Sequence, residues 1–482
     1  MRHGGGARRR RRLPFERILG RTARVRRRRL TLLAFGAVLL VAAGTVSMAG
    51  LTAGAVRAAG TGRVPTPPPS AVTPVPARSG AAKSSPQPSQ GAGSGQASAP
   101  PSSAGQSGAG QSGAGQAGAS QSSSGEPWQA LPAAAQDVVS QFVSDQGAAG
   151  VAVAVSAGQN QYLATVGDAS DGVVWSADTR SAFRSITKSF VGTVVLQLVA
   201  EGKLSLDDPI SRYAPDLASV QYNGADAGSQ ITVRMALEMR SGLAEFSGTQ
   251  DFSDQLSTDY TGSFTDDQLL GYAFAQPLDF APGSAYEYSN TNFVLLGKVV
   301  QAVTGNSWDH EVQRRILTPL GLGSVGYSGA GDPSSSDPSR PVATPYEIDS
   351  NSNLESLAQV SPSLYGASGG LFGDIGDLLR WGHALGSGAL LPASVERQRL
   401  TAVSQPSTDP GSPDYDAYGL AAGEIDGWWG HTGTGLGYES LTMYQPSTGM
   451  TAAILINTQL PNPNGPAILF KQLEGALAGI AG

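Results

Sequence analysis

The chain has 482 residues, no cysteine and a formal net charge of −6. The lack of cysteine excludes a disulfide framework, thiolate metal sites and a thiol nucleophile. The modest net charge hides a division, because residues 1–29 carry thirteen arginines and one acid, whereas residues 127–482 carry fifteen basic and thirty-six acidic residues, a net of −21. An acidic domain of this size excludes nucleic acid as its natural partner.

Taken in order, residues 1–29 read as a basic tail on the cytoplasmic side. Residues 30–56 form an uncharged apolar run of 27 residues, long enough for a membrane span, and arginines directly before it predict that this end stays inside. A retained single-pass anchor and a cleaved export signal both fit. Ala53-Gly54-Ala55 is a cleavage-like site, and Arg28-Arg29 could serve twin-arginine export, while the segment's length and long basic flank favour the anchor. Either way the remainder is expected outside the cytoplasm. Residues 57–126, rich in Pro, Ser, Gly and Gln, cannot bury enough apolar surface to offset chain entropy, so a disordered linker is predicted. The folded domain then covers 127–482.

Within that domain Leu131 to Val143 reads as an amphipathic helix, and 150–155 and 161–166 as two strands joined by a turn at Gly158-Gln159-Asn160. The next helix opens at Arg184-Ser185-Ile186-Thr187-Lys188-Ser189-Phe190 and runs to about Gly202, with Ile186, Phe190, Val194, Leu198 and neighbouring apolar residues at helical spacing. Helical and loop signals dominate 204–385, with helices expected at 231–239, 266–274, 289–304, 308–317 and 374–385. Strands return at 438–444 and 450–457, and a helix over 466–478 closes the chain. Strands at both ends around a helical middle predict a mixed α/β (α+β) fold. In it an antiparallel sheet is flanked by helices and carries a mainly helical subdomain, with the cleft between the two.

Ser185 and Lys188 lie one turn apart on one helix face. A lysine held in an apolar pocket loses its charge more readily, and its neutral amine can take the serine proton. Taken alone, the pair reads more readily as a serine N-cap followed by an ordinary surface lysine. Downstream stand Tyr288-Ser289-Asn290, after Phe280-Ala281-Pro282-Gly283, and Trp429-Gly430-His431-Thr432-Gly433-Thr434-Gly435 before a strand. In this order Ser-x-x-Lys, Tyr-x-Asn and His-Thr-Gly resemble the motifs of the serine β-lactamase-like, penicillin-recognising hydrolases. These include D-alanyl-D-alanine carboxypeptidases, class C β-lactamases and related esterases. The resemblance covers essentially 127–482.

The resemblance implies a β-lactamase/transpeptidase-like fold and an acyl-enzyme mechanism that needs no cofactor or metal. Ser185 would be the nucleophile, Lys188 its base and Tyr288 the proton relay. The backbone N–H groups of Ser185 and Thr434 would form the oxyanion hole, and Asn290, His431, Thr432 and Gly433 would bind substrate. His-Thr-Gly in place of Lys-Thr-Gly resembles the secreted D-alanyl-D-alanine carboxypeptidase branch. The implied partner is a small-molecule or peptide substrate bearing a D-alanyl-type amide, ester or β-lactam, with membrane contact through the N-terminal segment. Met239-Arg240-Ser241-Gly242-Leu243 stands where relatives commonly read His-Thr-Ser-Gly-Leu, a departure that bears on substrate choice.

A rival nucleophile is Ser368 in Gly366-Ala367-Ser368-Gly369-Gly370, with Asp426 and His431 following in α/β-hydrolase order. It lacks the buried strand which that motif needs before it, so it ranks below Ser185. His310 and His383 fall in helices without metal-like spacing. An esterase or β-lactam hydrolase using the same residues, and a wall-anchored binding module without turnover, remain the competing functions.

Overall fold

The computed structural model describes residues 128–329, 340–401 and 413–480; the expected tail, apolar segment and linker of 1–126 lie outside them. Among the described residues, no helix is long and apolar enough to cross a membrane.

The sheet forms from the two ends of the domain, as the strand pattern predicts. Its elements are β1 (Gln129–Ala130), β2 (Gly150–Ala157), β3 (Asn160–Ser170), β4 (Val173–Val174), β5 (Ala417–Tyr418), β6 (Gly423–Ile425), β7 (Trp428–Gly435), β8 (Tyr438–Tyr444) and β9 (Thr451–Ile456). The order is β1-β3-β2-β9-β8-β7-β6-β5, with β4 added to β3. All pairings are antiparallel except the short β1–β3 contact. The central strands β2 and β9 are buried on both faces, so they read as runs of Val, Ala, Ile and Leu rather than alternating patterns. Their register, Val153 opposite Ile454, joins residues three hundred positions apart.

Helices α1 (Ala133–Gln146) and α5 (Gly465–Leu477) lie together against one face, where the Phe470 ring meets Trp428 edge-on at 5.1 Å. The other face carries α4 (Ile375–Gly386), preceded by Asp374, which caps it by accepting from the Asp377 N–H. Gly382 and Gly386 let α4 approach closely, since a Cβ at either would strike Thr442 or Tyr444 of β8. Between α4 and the helical subdomain runs α2 (Thr187–Ala200), preceded by a 3₁₀ turn over Arg184–Ile186. Nearly all of α2 is buried, with Phe190 stacked on Trp381 of α4 at 3.8 Å, and α3 (Thr291–Thr304) packs beside it.

Five strands of the sheet were not expected from the sequence: the two-residue β1 and β4, and β5, β6 and β7. The Trp428–Gly435 stretch is itself a strand, not a turn leading into one; its residues 429–435, glycines included, are laddered to β8, and Gly430 pairs with β6 as well. β5 and β6 are too short for an alternating pattern to show. The helix expected over 231–239 shortens to Val233–Leu237 because Met239 takes a left-handed conformation, φ 57°, and ends it. The expected 308–317 helix widens into a π turn from Gln313.

Candidate active site

Ser185 sits in the 3₁₀ turn that opens α2, and the residue before it is strained. Arg184 has φ 47°, in the left-handed region that a non-glycine residue occupies at a cost of roughly 1 kcal/mol or more. Its side chain explains why it stays there. The guanidinium, 2% exposed, donates to the carbonyls of Gly435 (2.8 Å) and Leu436 (3.2 Å) and lies between the rings of Tyr365 and Tyr438. The nucleophile is thereby tied to the end of β7.

Lys188 is fully buried one turn on. Its ammonium donates to Ser185 Oγ at 2.9 Å, Asn290 Oδ1 at 2.6 Å and the Ser368 carbonyl at 2.7 Å. Those three acceptors use all its protons, and the rings of Tyr288 and Phe293 wall the rest, 5.1 and 5.9 Å from Nζ. Burial brings its pKa down to about 7, opposed by the negative charge of Glu245. Near neutral pH a sizeable share of Lys188 is therefore the free amine, hydrogen-bonded to the serine it would deprotonate.

Glu245 was not singled out from the sequence. It follows the Ser241-Gly242-Leu243 turn and lies behind Asn290, accepting from both the backbone N–H and the side-chain amide of that residue (Nδ2 at 2.9 Å) and from Ser247 Oγ at 2.6 Å. An acid two residues past a Gly-Leu turn was its only visible mark. Asn290 stands at the N-cap of α3 yet makes no capping bond. Its amide faces inward between Lys188 and Glu245, so its observed partners are lysine and carboxylate.

The Tyr288 hydroxyl is buried and faces Ser185, the polar side chain it interacts with. Burial first, then neighbouring tyrosines and Glu245, push its pKa well above that of a free phenol, so it is a proton donor and not a phenolate at neutral pH. A neutral phenol beside the nucleophile is placed to pass a proton to a leaving atom.

β7 forms the opposite wall. Gly433 backs directly on the nucleophile: a Cβ there would collide with the Phe183 carbonyl and come within 2.8 Å of the Ser185 nitrogen. The Thr432 N–H donates to the Tyr415 hydroxyl at 2.7 Å, away from β8. By strand alternation the Thr434 N–H points to the same edge, which β6 leaves uncovered beyond Gly430. The Ser185 nitrogen thus lies beside Gly433, and the N–H of the next residue, Thr434, points to the open edge. The Thr434 side chain is held elsewhere, donating to the Pro463 carbonyl at 2.9 Å.

His431 differs most from its expected role. It is fully buried, with Nε2 3.1 Å from the Tyr418 hydroxyl, Nδ1 3.1 Å from the Tyr415 hydroxyl and Nδ1 2.6 Å from the Thr432 carbonyl. The carbonyl requires a proton on Nδ1, which leaves Nε2 to accept from Tyr418. Burial and the charge of Lys188 lower its pKa to about 3. The ring is a neutral link in a tyrosine network, not an exposed imidazolium poised for a carboxylate. Thr432 joins the same network through Tyr415, its hydroxyl 2.9 Å from the phenol.

Ser368, the rival nucleophile, is buried and donates to the Tyr365 carbonyl at 2.6 Å, while its own carbonyl holds Lys188. Its loop supports the first site. Among the described residues, no group of three His, Asp or Glu side chains stands placed to hold a metal ion.

A family model described as Beta-lactamase matches residues 135–476. The D-stereospecific amidohydrolase from Streptomyces sp. superposes with a TM-score of 0.60 at 29% identity, covering 71% of this chain and 98% of that one. The D-amino acid amidase from Ochrobactrum anthropi SV3 gives a TM-score of 0.62 at 23% identity, over 72% and 97% of the two chains, a likeness of fold. Among curated relatives, Protein flp of Staphylococcus aureus (strain N315) is 28% identical over 197 residues, 39% of this chain and 36% of that protein. Esterase EstB of Burkholderia gladioli is 33% identical over 158 residues, 32% and 40% respectively, so the matches span well under half the length of these two curated relatives.

Proposed function

We propose, from the premise that this chain belongs to the Beta-lactamase family of serine hydrolases, that it cleaves D-alanyl-type amides of cell-wall peptides through an acyl-enzyme. The observation that carries the reading is the fully buried Lys188, brought to a pKa of about 7 and bonded at 2.9 Å to Ser185 Oγ. The neutral amine takes the Ser185 proton as Oγ attacks the carbonyl. The oxyanion then gathers on the Ser185 and Thr434 amides, which are fixed before the reaction and need no rearrangement. The Tyr288 hydroxyl gives its proton to the departing amine and recovers one from Lys188. In the second half, water loses a proton to the same pair and releases the acyl group.

The D preference is supported by the likeness to the Streptomyces amidohydrolase along nearly its whole length. The basic residues 1–29 and the apolar run 30–56 support a location outside the cytoplasm, single-pass with the N-terminus inside or secreted after cleavage. Esterase activity with the same residues is the second reading, supported by the likeness to EstB and by a third motif that offers no cation.

Epimeric D- and L-alanyl amides, assayed with the full chain and with Ser185→Ala, test the proposal. It expects hydrolysis of the D epimer at the higher kcat/KM, lost in the variant. Preference for the L epimer, or turnover that survives Ser185→Ala, refutes it.

A further inference from the structure

The leaving-group end of the cleft, at the third motif, lacks the group that a free carboxylate would need. We infer that this enzyme takes substrates whose scissile amide is followed by an uncharged group, an amide, an ester or an internal peptide link, and discriminates against a free C-terminal carboxylate. The inference rests on the serine hydrolase reading above and narrows its substrate class away from carboxypeptidase action.

The geometry around His431 is the first ground. Both ring nitrogens are already engaged, by Tyr418 on one side and by Tyr415 and the Thr432 carbonyl on the other, and the ring is fully buried. To meet a carboxylate it would have to gain a proton where burial and Lys188 both oppose one. The phenols cannot substitute. Tyr415 and Tyr418 are packed at 5.5 Å centroid separation, and burial pushes both further from ionisation, leaving a neutral aromatic wall with hydroxyl groups.

The second ground is where the cations are. Of the fifteen Lys and Arg residues in 127–482, ten form ion pairs with carboxylates. Arg184, beside the end of β7, donates through Nε and Nη2 to the Gly435 and Leu436 carbonyls and is enclosed by two tyrosine rings, with its remaining Nη1 buried away from solvent. Among the described residues, Lys188 is the charged group that acts on His431, while Thr432 and Tyr286 act on Tyr415 and other tyrosines act on Tyr418. The undescribed stretches within the domain, 330–339, 402–412 and 481–482, contain no Lys or Arg. A carboxylate placed here would be desolvated against phenols and a neutral imidazole with no opposite charge. A carboxamide or ester would find hydroxyl partners without that penalty.

The test holds the acyl half and the scissile bond constant. An N-acyl-D-alanyl-D-alanine, its C-terminal carboxamide and its methyl ester are assayed for cleavage of the same D-Ala–D-Ala bond by the full chain, at about 0.05 and about 0.5 M salt, the higher value screening the long-range field of the acidic domain. The expected result is a kcat/KM for the carboxamide and the ester at least about tenfold above that for the free acid, kept at high salt. Equal or better cleavage of the free acid, or a preference that disappears with salt, overturns the inference while leaving the serine hydrolase reading intact. Failure to cleave any of the three, with no acyl adduct on Ser185, overturns both.

Discussion

Lys188→Met exposes what it costs to keep a base inside this core. The lysine titrates at about 7 in the folded protein against 10.5 for the unperturbed side chain. Because the folded value is the lower one, the unfolded chain binds the extra proton between these pH values, and the native state gains stability as pH rises through that window. Full burial means solvent screening does not discount the effect. At about 1.4 kcal/mol per unit, the proton-linked penalty amounts to roughly 4 kcal/mol at pH 7 and falls below about 1 kcal/mol at pH 10. Methionine fills similar volume and does not titrate. The difference in unfolding free energy between Lys188→Met and the parent should therefore move by about 3 kcal/mol in the parent's favour between pH 7 and pH 10. Urea denaturation of both proteins at pH 7, 8, 9 and 10 measures it, since titrating groups that do not interact with Lys188 cancel in the difference. Curves that stay parallel across that range would show that Lys188 is charged in the fold, and would remove the free amine from the mechanism.

The same proton governs rate, so kcat/KM should rise with pH to a plateau with its acid limb near 7. Glu245 raises the lysine's proton affinity. Glu245→Gln should accordingly shift that limb to lower pH, and an unmoved limb would detach Glu245 from the base. Gly433→Ala should slow acylation by a hundredfold or more, an order-of-magnitude expectation from misplacing the nucleophile, and lower stability by about 1–3 kcal/mol through overpacking; both are read by stopped-flow acylation and thermal unfolding. Wild-type acylation in Gly433→Ala would mean the Ser185 turn is freer than its packing against β7 indicates. Ser368→Ala should keep acylation and lose only about 1 kcal/mol, the worth of its bond to the Tyr365 carbonyl. Loss of the adduct in that variant would restore Ser368 as a nucleophile.

The parts legible in sequence are those written in a single segment. The buried periodicity of α2 gave the helix, and Ser185 and Lys188 three residues apart gave one face of it. The long strands β2, β3, β8 and β9 were visible because each carries enough apolar residues in a row. β7 was hidden by its glycines. They serve close approach, at Gly433 to the Ser185 nitrogen and at Gly430 to the Thr442 carbonyl, a demand that comes from other segments. Glu245 was illegible for the same reason, since its meaning depends on Asn290, 45 residues away. The charge state of His431 could not be read either. A histidine in a Gly-Thr stretch suggests a surface turn, and only the fold brings Tyr415 and Tyr418 onto its two nitrogens. The strain at Arg184 likewise depends on carbonyls 251 and 252 residues downstream.

The account stands most directly on Ser185 being the residue that is acylated. Intact-mass spectrometry of the full chain after incubation with the methyl ester of a fluorescent penicillin, a β-lactam without a free carboxylate, beside Ser185→Ala, measures this in one step. A single adduct of the expected mass that is absent from Ser185→Ala is the predicted result. An adduct that persists in the variant, or none on either protein, would contradict it.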